Sequence, residues 1–338
     1  MEDEKMDRIA FIYGETFVYW SSIVLTLAAV TAICFFLAFY LGKSGNAVGA
    51  AVLVPLALVA SLVLGRLVHW YSRGDSYDSF EAAMTGYGSG GYALVGVIAG
   101  CVAAALLLRL LYIVRNLPEL LDCMALGGAA GIAVGRLASF FNGSDRGQIL
   151  ESVRELPWVY PVTNAVSGEL EYRLATFLLQ SMAAAAIFAV LALVFLIGHG
   201  RKKLRDGDVA LLFLLFYGAA QAVLDSTRYD SLFLRSNGFV SIVQILSAAA
   251  VVLVAVVFSA RMVKARRLRF WQLILWFFML AGLGCAGYME YYVQRHGDRA
   301  AFAYSVMSGA LAAVVLLVLL VRKLGQTRRI LTERDLGQ

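Results

Sequence analysis

Apolar residues run along this chain in blocks too long for the helices of a water-soluble domain, separated by short polar joints. The blocks fall near Phe17–Leu41, Ala47–Tyr71, Gly91–Val114, Leu121–Phe141, Arg173–Ile197, Val209–Asp225, Phe239–Ala260, Phe270–Tyr292 and Phe302–Val321. Roughly 20 apolar residues cross a bilayer as a helix, which satisfies its own backbone groups where no water can. The pattern predicts an all-α polytopic transmembrane bundle of about nine spans. The longest joint, Asn142–Tyr172, contains Trp158, Tyr160 and Pro161 and is read as a small extracytoplasmic cap between spans four and five.

Charge placement orients the bundle. The N-terminus, MEDEKMDRIAFIYGE, is acidic and lacks a basic leader region, so the first apolar block is expected to stay as a span. With that end outside, the inner segments hold Lys43, then Arg109 and Arg115, then Arg201, Lys202, Lys203 and Arg205. Arg261, Lys264, Arg266, Arg267 and Arg269 follow, and the tail holds Arg322, Lys323, Arg328, Arg329 and Arg334. The outer segments hold fewer, chiefly Arg73, Arg146, Arg154, Arg235, Arg295 and Arg299, which predicts N-out and C-in. Trp20, Trp70 and Trp271 fall at span ends, as interfacial anchors do.

Composition agrees with the class: 61% of the 338 residues are hydrophobic and only 15% charged. The net charge of +6 is spread over loops as topology requires, so no nucleic-acid partner is expected. Cys34, Cys101, Cys123 and Cys285 lie in apolar blocks with no CxxC pair, and buried packing is expected of them. His69, His199 and His296 form no ligand cluster, so neither metal nor cofactor is implied.

Three arginines interrupt the pattern. Arg66 lies near the outer end of span two, Arg136 at similar depth in span four beside Gly135, and Arg228 just past span six. A cation within a span needs an anion or a water-filled cavity, and a guanidinium suits phosphate. Each of the three can also snorkel to the interface or pair with a nearby acid such as Asp225, a reading with most weight for Arg66 and Arg228. For Arg136 a bound anion is the expectation. The glycine run Gly86–Gly91 lacks the Lys-Ser/Thr of a nucleotide loop and reads as a bend at the mouth of span three, with Gly91 structural. Within that span Gly96 and Gly100 form a small-xxx-small pair for close helix contact.

These residues resemble the prolipoprotein diacylglyceryl transferases, bacterial membrane enzymes that place diacylglycerol on lipoprotein cysteines. The run from Gly135 to Gly147, GRLASFFNGSDRG, looks like the family signature G-R-x-G-N-F-x-N-x-E-x-x-G, preceded by the family's span-four aspartate at Asp122. Gly65-Arg66 is similar to the end of the family's second span, and Gly90–Gly96 to its G-G-x-x-x-H-G motif. Ala175–Ser181 resembles the family's P-T-x-L-Y-E, and Tyr217–Arg228 resembles Y-G-x-x-R-x-x-x-E-x-x-R. Gln244 falls at a later glutamine of the family. The resemblance covers spans one to seven, so residues 1–260 form the transferase-like domain and 261–338 add two spans and a basic tail. Several polar positions differ: Val95 replaces histidine, Ser139 asparagine, Ser144 and Gln180 glutamates, and Gln221 the second arginine, while Asp225 replaces a glutamate.

The resemblance implies a reaction in which a cysteine thiolate attacks a glycerol carbon of phosphatidylglycerol and glycerol phosphate leaves. Phosphate charge must be neutralised and the thiol proton accepted. Arg136, assisted by Arg228 and Arg66, is the candidate for the first task, with Asn142 and Gly147 shaping the turn into the cap and able to donate to phosphate. Tyr217 and Asp225, two turns apart on one helix, are candidates for the second, although Tyr217 can equally be a packing or interfacial residue. Asp122, after Pro118, is expected to serve a helix start. The partners implied are phosphatidylglycerol or another anionic phospholipid, a prolipoprotein lipobox peptide, and the bilayer of a bacterial plasma membrane. A non-catalytic lipid-binding or lipoprotein-handling protein of the same fold is the alternative.

Overall fold

The computed structural model describes residues 9–14, 16–85, 91–150, 158–163, 168–200, 204–229, 231–234, 237–266, 269–296 and 299–335. Most of the glycine run, and Arg154, Arg201, Lys202, Lys203, Arg235 and Arg267 of the orientation argument, lie outside the described residues. Eleven α-helices and three two-stranded hairpins follow one another among the described residues. Hairpin β1 (Ile9–Tyr13) and β2 (Thr16–Tyr19) leads into α1 (Trp20–Ser44) and α2 (Ala47–Ser72). Short α3 (Phe80–Thr85) precedes α4 (Leu94–Leu110), α5 (Leu117–Gly135) and the one-turn α6 (Ala138–Asn142). Hairpin β3 (Val159–Thr163) and β4 (Leu170–Leu174) connects to α7 (Thr176–Gly200) and α8 (Asp208–Ser226). After β5 (Phe233–Leu234) and β6 (Asn237–Ser241) come α9 (Ile242–Arg266), α10 (Phe270–Arg295) and α11 (Ala300–Asp335).

Eight of these helices are long and apolar enough to cross a membrane, and α4 is a shorter apolar helix of 17 residues. The chain is a polytopic helical membrane protein. Large apolar side chains such as Leu106, Leu193, Leu280 and Leu316 face outward from their helices, a surface that hydrocarbon rather than water covers. The all-α expectation missed the hairpins. Ile9–Tyr19 is rich in aromatic and β-branched residues, and Gly14 at φ 60° reverses the strand before the first span, which begins at Trp20 rather than Phe17. In the expected cap, Val159–Thr163 pairs antiparallel with Leu170–Leu174. The cysteines are less buried than expected: only Cys123 is buried, and Cys34 faces outward from α1.

The chain folds as two compact units, Met1–Phe213 with Thr227–Ser241, and Leu214–Ser226 with Ile242–Gln338. Small residues set the helix spacing in the first. A Cβ on Gly96 would strike the Leu64 carbonyl, and one on Gly100 would lie 2.5 Å from the Ser61 nitrogen, so α4 and α2 meet backbone to backbone as the small-xxx-small spacing predicts. Ser61 Oγ adds a hydrogen bond of 3.0 Å to the Val97 carbonyl. Gly127 and Gly131 do the same for α5 against α1, where added Cβ atoms would lie 2.5 Å from the Ala32 carbonyl oxygen and 2.7 Å from Ala32 Cβ. In the second unit α11 packs along α9 and α10, with Gly282 against Val314 and Trp276 Nε1 donating to Ser259 Oγ at 3.0 Å.

Candidate functional site

Both ends of α5 are set by local capping. Asn116 accepts from the Glu119 amide to start the helix, with Pro118 in its first turn. The helix stops at Arg136, α6 adds one turn, and Gly143 at φ 69° closes it by donating its N–H to the Ser139 carbonyl. Asn142 Oδ1 then accepts from Ser144 N at 2.9 Å and Ser144 Oγ at 2.7 Å, which turns the chain back. Asp145 follows at φ 56°, a left-handed conformation that aspartate tolerates better than most residues. That turn aims its carboxyl back toward α5.

Asp145 is the centre of the site. Its Oδ2 accepts from Arg136 Nη1 at 3.0 Å and from Ser139 Oγ at 2.6 Å, while its Oδ1 lies 2.7 Å from Arg228 Nη2. Sequence reasoning expected an anion at Arg136; the structure supplies Asp145, which was not among the predicted site residues. The signal was present: an acid nine positions after the arginine, one past Ser144, where the family signature has glutamate. The three side chains are each at most 12% exposed. Burial alone pushes the Asp145 carboxyl up, but the charges of Arg136 and Arg228 and the bonds from Ser139 and Arg136 outweigh it, holding the group at about 2.

Backbone ladders bring Arg228 there. Gly147 N donates to Leu174 O and Leu174 N to Gln148 O, while Gln148 N donates to Thr227 O and Tyr229 N to Arg146 O. The loop after α6 is thereby sewn to the approach to α7 on one side and to Thr227–Tyr229 on the other. Gly147 is where these strands come closest, since a Cβ there would lie 2.5 Å from Leu174 O and 2.7 Å from Thr176 Oγ1. Its N–H is committed to Leu174, so what it contributes here is spacing; Asn142 accepts in the turn through its side-chain oxygen, and its amide nitrogen is not part of that turn. Thr176 Oγ1 and Thr227 Oγ1 meet at 3.1 Å just beneath.

Arg66 has different partners. It is buried on α2, donates from Nε to Ala83 O at 2.6 Å and from Nη1 to Gly91 O at 3.2 Å, and lies over the rings of Tyr77 and Tyr92. Gly91, at φ 82°, allows this because a Cβ there would meet Tyr77 Oη at 2.5 Å and Arg66 Nη1 at 2.9 Å. The contacts of Arg66 thus fasten the segment between α2 and α4. Asp122 is a helix-start residue, but not of its own helix: its buried carboxylate accepts from Gly207 N and Ala210 N, both at 2.8 Å, and caps α8. Gly135 is the last residue of α5, and a Cβ on it would lie 3.4 Å from Ala28 Cβ, ordinary contact distance. Tyr217 and Asp225 both lie on the part of α8 in the second unit, eight residues and on the order of 12 Å apart along the axis. Asp225 is buried there and Tyr217 half-buried.

The sequence model of the family described as Prolipoprotein diacylglyceryl transferase matches residues 8–260. Relatives carry the name phosphatidylglycerol-prolipoprotein diacylglyceryl transferase. That of Lactococcus lactis subsp. cremoris (strain MG1363) is 29% identical over 264 residues, covering 77% of this chain and 96% of the relative. That of Finegoldia magna is 25% identical over 268 residues, covering 77% and 99%. The Streptococcus uberis protein is 24% identical over 246 residues, covering 71% and 92%. Matched across three quarters of its length, from the N-terminal hairpin through the arginine cluster and into α9, this chain belongs to the prolipoprotein diacylglyceryl transferase family.

Proposed function

We propose that this chain is a membrane transferase that moves diacylglycerol from phosphatidylglycerol to a cysteine thiol of a prolipoprotein lipobox peptide. One observation carries the reading: two guanidiniums, from α5 and from the segment after α8, converge on the two oxygens of a single buried carboxylate. Arginine pairs carboxylate and phosphate through the same fork of donors, so a spacing that fits one small oxyanion suits the other. Asp145 sets that spacing, and the lipid phosphate is bound by Arg136 and Arg228 at the polar end of the spans.

In the reaction the thiol sulfur bonds to the glycerol carbon and the carbon–oxygen bond to phosphate breaks. Its electron pair leaves with glycerol phosphate. The arginines stabilise that leaving anion more than the bound diester, which is what lowers the barrier. Tyr217 and Asp225 are the candidates to take the thiol proton. Asn142 and Gly147 hold the loop that presents Asp145, and Arg66 keeps a supporting role through the segment between α2 and α4. The transferase-like domain spans residues 1–260, and residues 261–338 add two spans and a basic tail. The protein sits in a bacterial plasma membrane with its N-terminus outside.

The test is purified protein with phosphatidylglycerol and a lipobox peptide, scored by mass for thioether-linked diacylglycerol. Product that is lost in Arg136→Ala and in Tyr217→Phe supports the transferase with its proposed proton acceptor. Product retained in Tyr217→Phe removes that residue from the chemistry. No product, alongside saturable lipid binding lost in Arg136→Ala, selects the non-catalytic lipid-binding reading, which the replacements at Val95 and Gln221 favour.

A further inference from the structure

Gln180 lies on α7, four residues past Thr176, with only 1% of its surface exposed. Neither its Nε2 nor its Oε1 has a hydrogen-bond partner among the described residues. Buried polar groups are almost always satisfied, so a carboxamide left orphaned within an apolar span calls for an explanation.

Its position supplies one. Residues four apart share a helix face, and Thr176 uses that face to meet Thr227, the residue before Arg228. Gln180 is therefore on the order of 6 Å further into the span than that contact. The next residue, Ser181, donates to Ala133 O at 2.5 Å, and Ala133 lies three residues before Arg136 on α5. Two independent contacts thus put Gln180 about one helical turn to the hydrocarbon side of the arginine pair.

A phospholipid with its phosphate at that pair has its glycerol backbone and acyl esters next along, toward the hydrocarbon. Ester carbonyls accept hydrogen bonds, and a carboxamide nitrogen donates them. We propose that Gln180 donates from Nε2 to an acyl-ester carbonyl of the lipid whose phosphate Arg136 and Arg228 hold, so that the site selects diacyl ester lipids. This rests on the lipid site proposed above. The glutamate that the family resemblance sets at this position offers only acceptors when ionised, so the carboxamide gives this chain a donor where ester oxygens lie.

The full chain in detergent is titrated with dioleoyl phosphatidylglycerol and with its diether analogue, which keeps headgroup and chain length but lacks both carbonyls. The wild type binds the diester about tenfold more tightly, the worth of one buried hydrogen bond. Gln180→Leu binds both lipids equally, at the diether level, and unfolds at the same or a higher temperature because an orphaned polar group has been removed. Gln180→Glu, which keeps the volume, loses the same preference. Arg136→Ala weakens both lipids together and leaves their ratio. Equal binding by the wild type, a preference that survives Gln180→Leu, or a destabilised Gln180→Leu overturns the inference while leaving the phosphate site standing. Binding of neither lipid by the wild type removes both.

Discussion

Asp145 shows how a single residue can organise the polar end of a membrane domain. Its carboxyl lies well below the ordinary value of 3.8, at about 2, because two arginines and a serine hydroxyl favour the charged form over the cost of burial. A group depressed in the folded state adds stability that is fully present above its unfolded value. That stability is lost as pH falls through the folded one. The contribution is therefore complete at neutral pH and disappears between the ordinary value of 3.8 and about 2. It is worth roughly 2 kcal/mol. Asp145→Asn is expected to cost more, about 3–5 kcal/mol, because it also leaves two guanidiniums without their shared carboxylate. Unfolding midpoints of wild type and variant, followed from neutral pH to pH about 3, check both statements: the gap should shrink on acidification. A gap that is independent of pH would contradict the ion-pair account.

That Arg136 needs an anion was legible in the sequence, because a cation within an apolar run must be compensated. Asp145 was not, because its role depends on a left-handed turn that rotates it toward α5, and no periodicity reports such a turn. Gly147 was read as shaping the turn into the cap and able also to donate to a phosphate; only the ladder to Leu174 shows that its N–H is already used.

At the scale of elements, two devices hold the helices in register. Asp122 caps α8 from the first turns of α5, tying two helix beginnings together through Gly207 and Ala210. Asp122→Ala is expected to remove about 1–3 kcal/mol, more than most exposed caps, since two buried amides lose their acceptor. Thermal unfolding in detergent measures it, and Asp122→Asn, which keeps an acceptor oxygen, should recover part. The second device is the glycine seam between α2 and α4. Gly96→Leu drives a side chain into the Leu64 carbonyl and should cost at least roughly 1–3 kcal/mol, whereas the same change at Gly128, which has open space around it, should cost little. Equal effects at the two glycines would show that the seam does not set the spacing.

The spans themselves were read from the apolar blocks, which is what hydropathy reports best. The hairpins were not. Strands of two to five residues beside long apolar helices leave little alternation to detect, and β1 and β2 merge in composition with the first span. The cap of Asp122 on α8 was equally hidden: the sequence marked a helix start correctly, but spacing cannot say which helix a buried carboxylate serves.

For the whole molecule, the family match takes in the compact unit that holds the arginine cluster and runs on into residues of the second unit. The family match ends at residue 260, within α9, and α10 and α11 follow it in the second unit. Of the replaced positions Val95, Ser139, Ser144, Gln180 and Gln221, Ser139 lies at the arginine cluster. Ser139 donates to Asp145, and Asp145 stands one place beyond Ser144 with its charge at the arginines. The polar contacts of the two arginines are thus supplied by Asp145, with Ser139 beside it.

The proposed transfer depends on Arg136 and Arg228 jointly binding a lipid phosphate. The measurement that bears on it most directly is the equilibrium affinity of the purified chain for phosphatidylglycerol, compared across wild type, Arg136→Ala and Arg228→Ala. Each substitution is expected to weaken binding at least tenfold, the scale of one charge-assisted hydrogen bond. The double variant should lose less than the sum of the two in free energy, because the arginines act on one ligand. Affinity unchanged in both single variants, in protein that remains folded, would contradict the account.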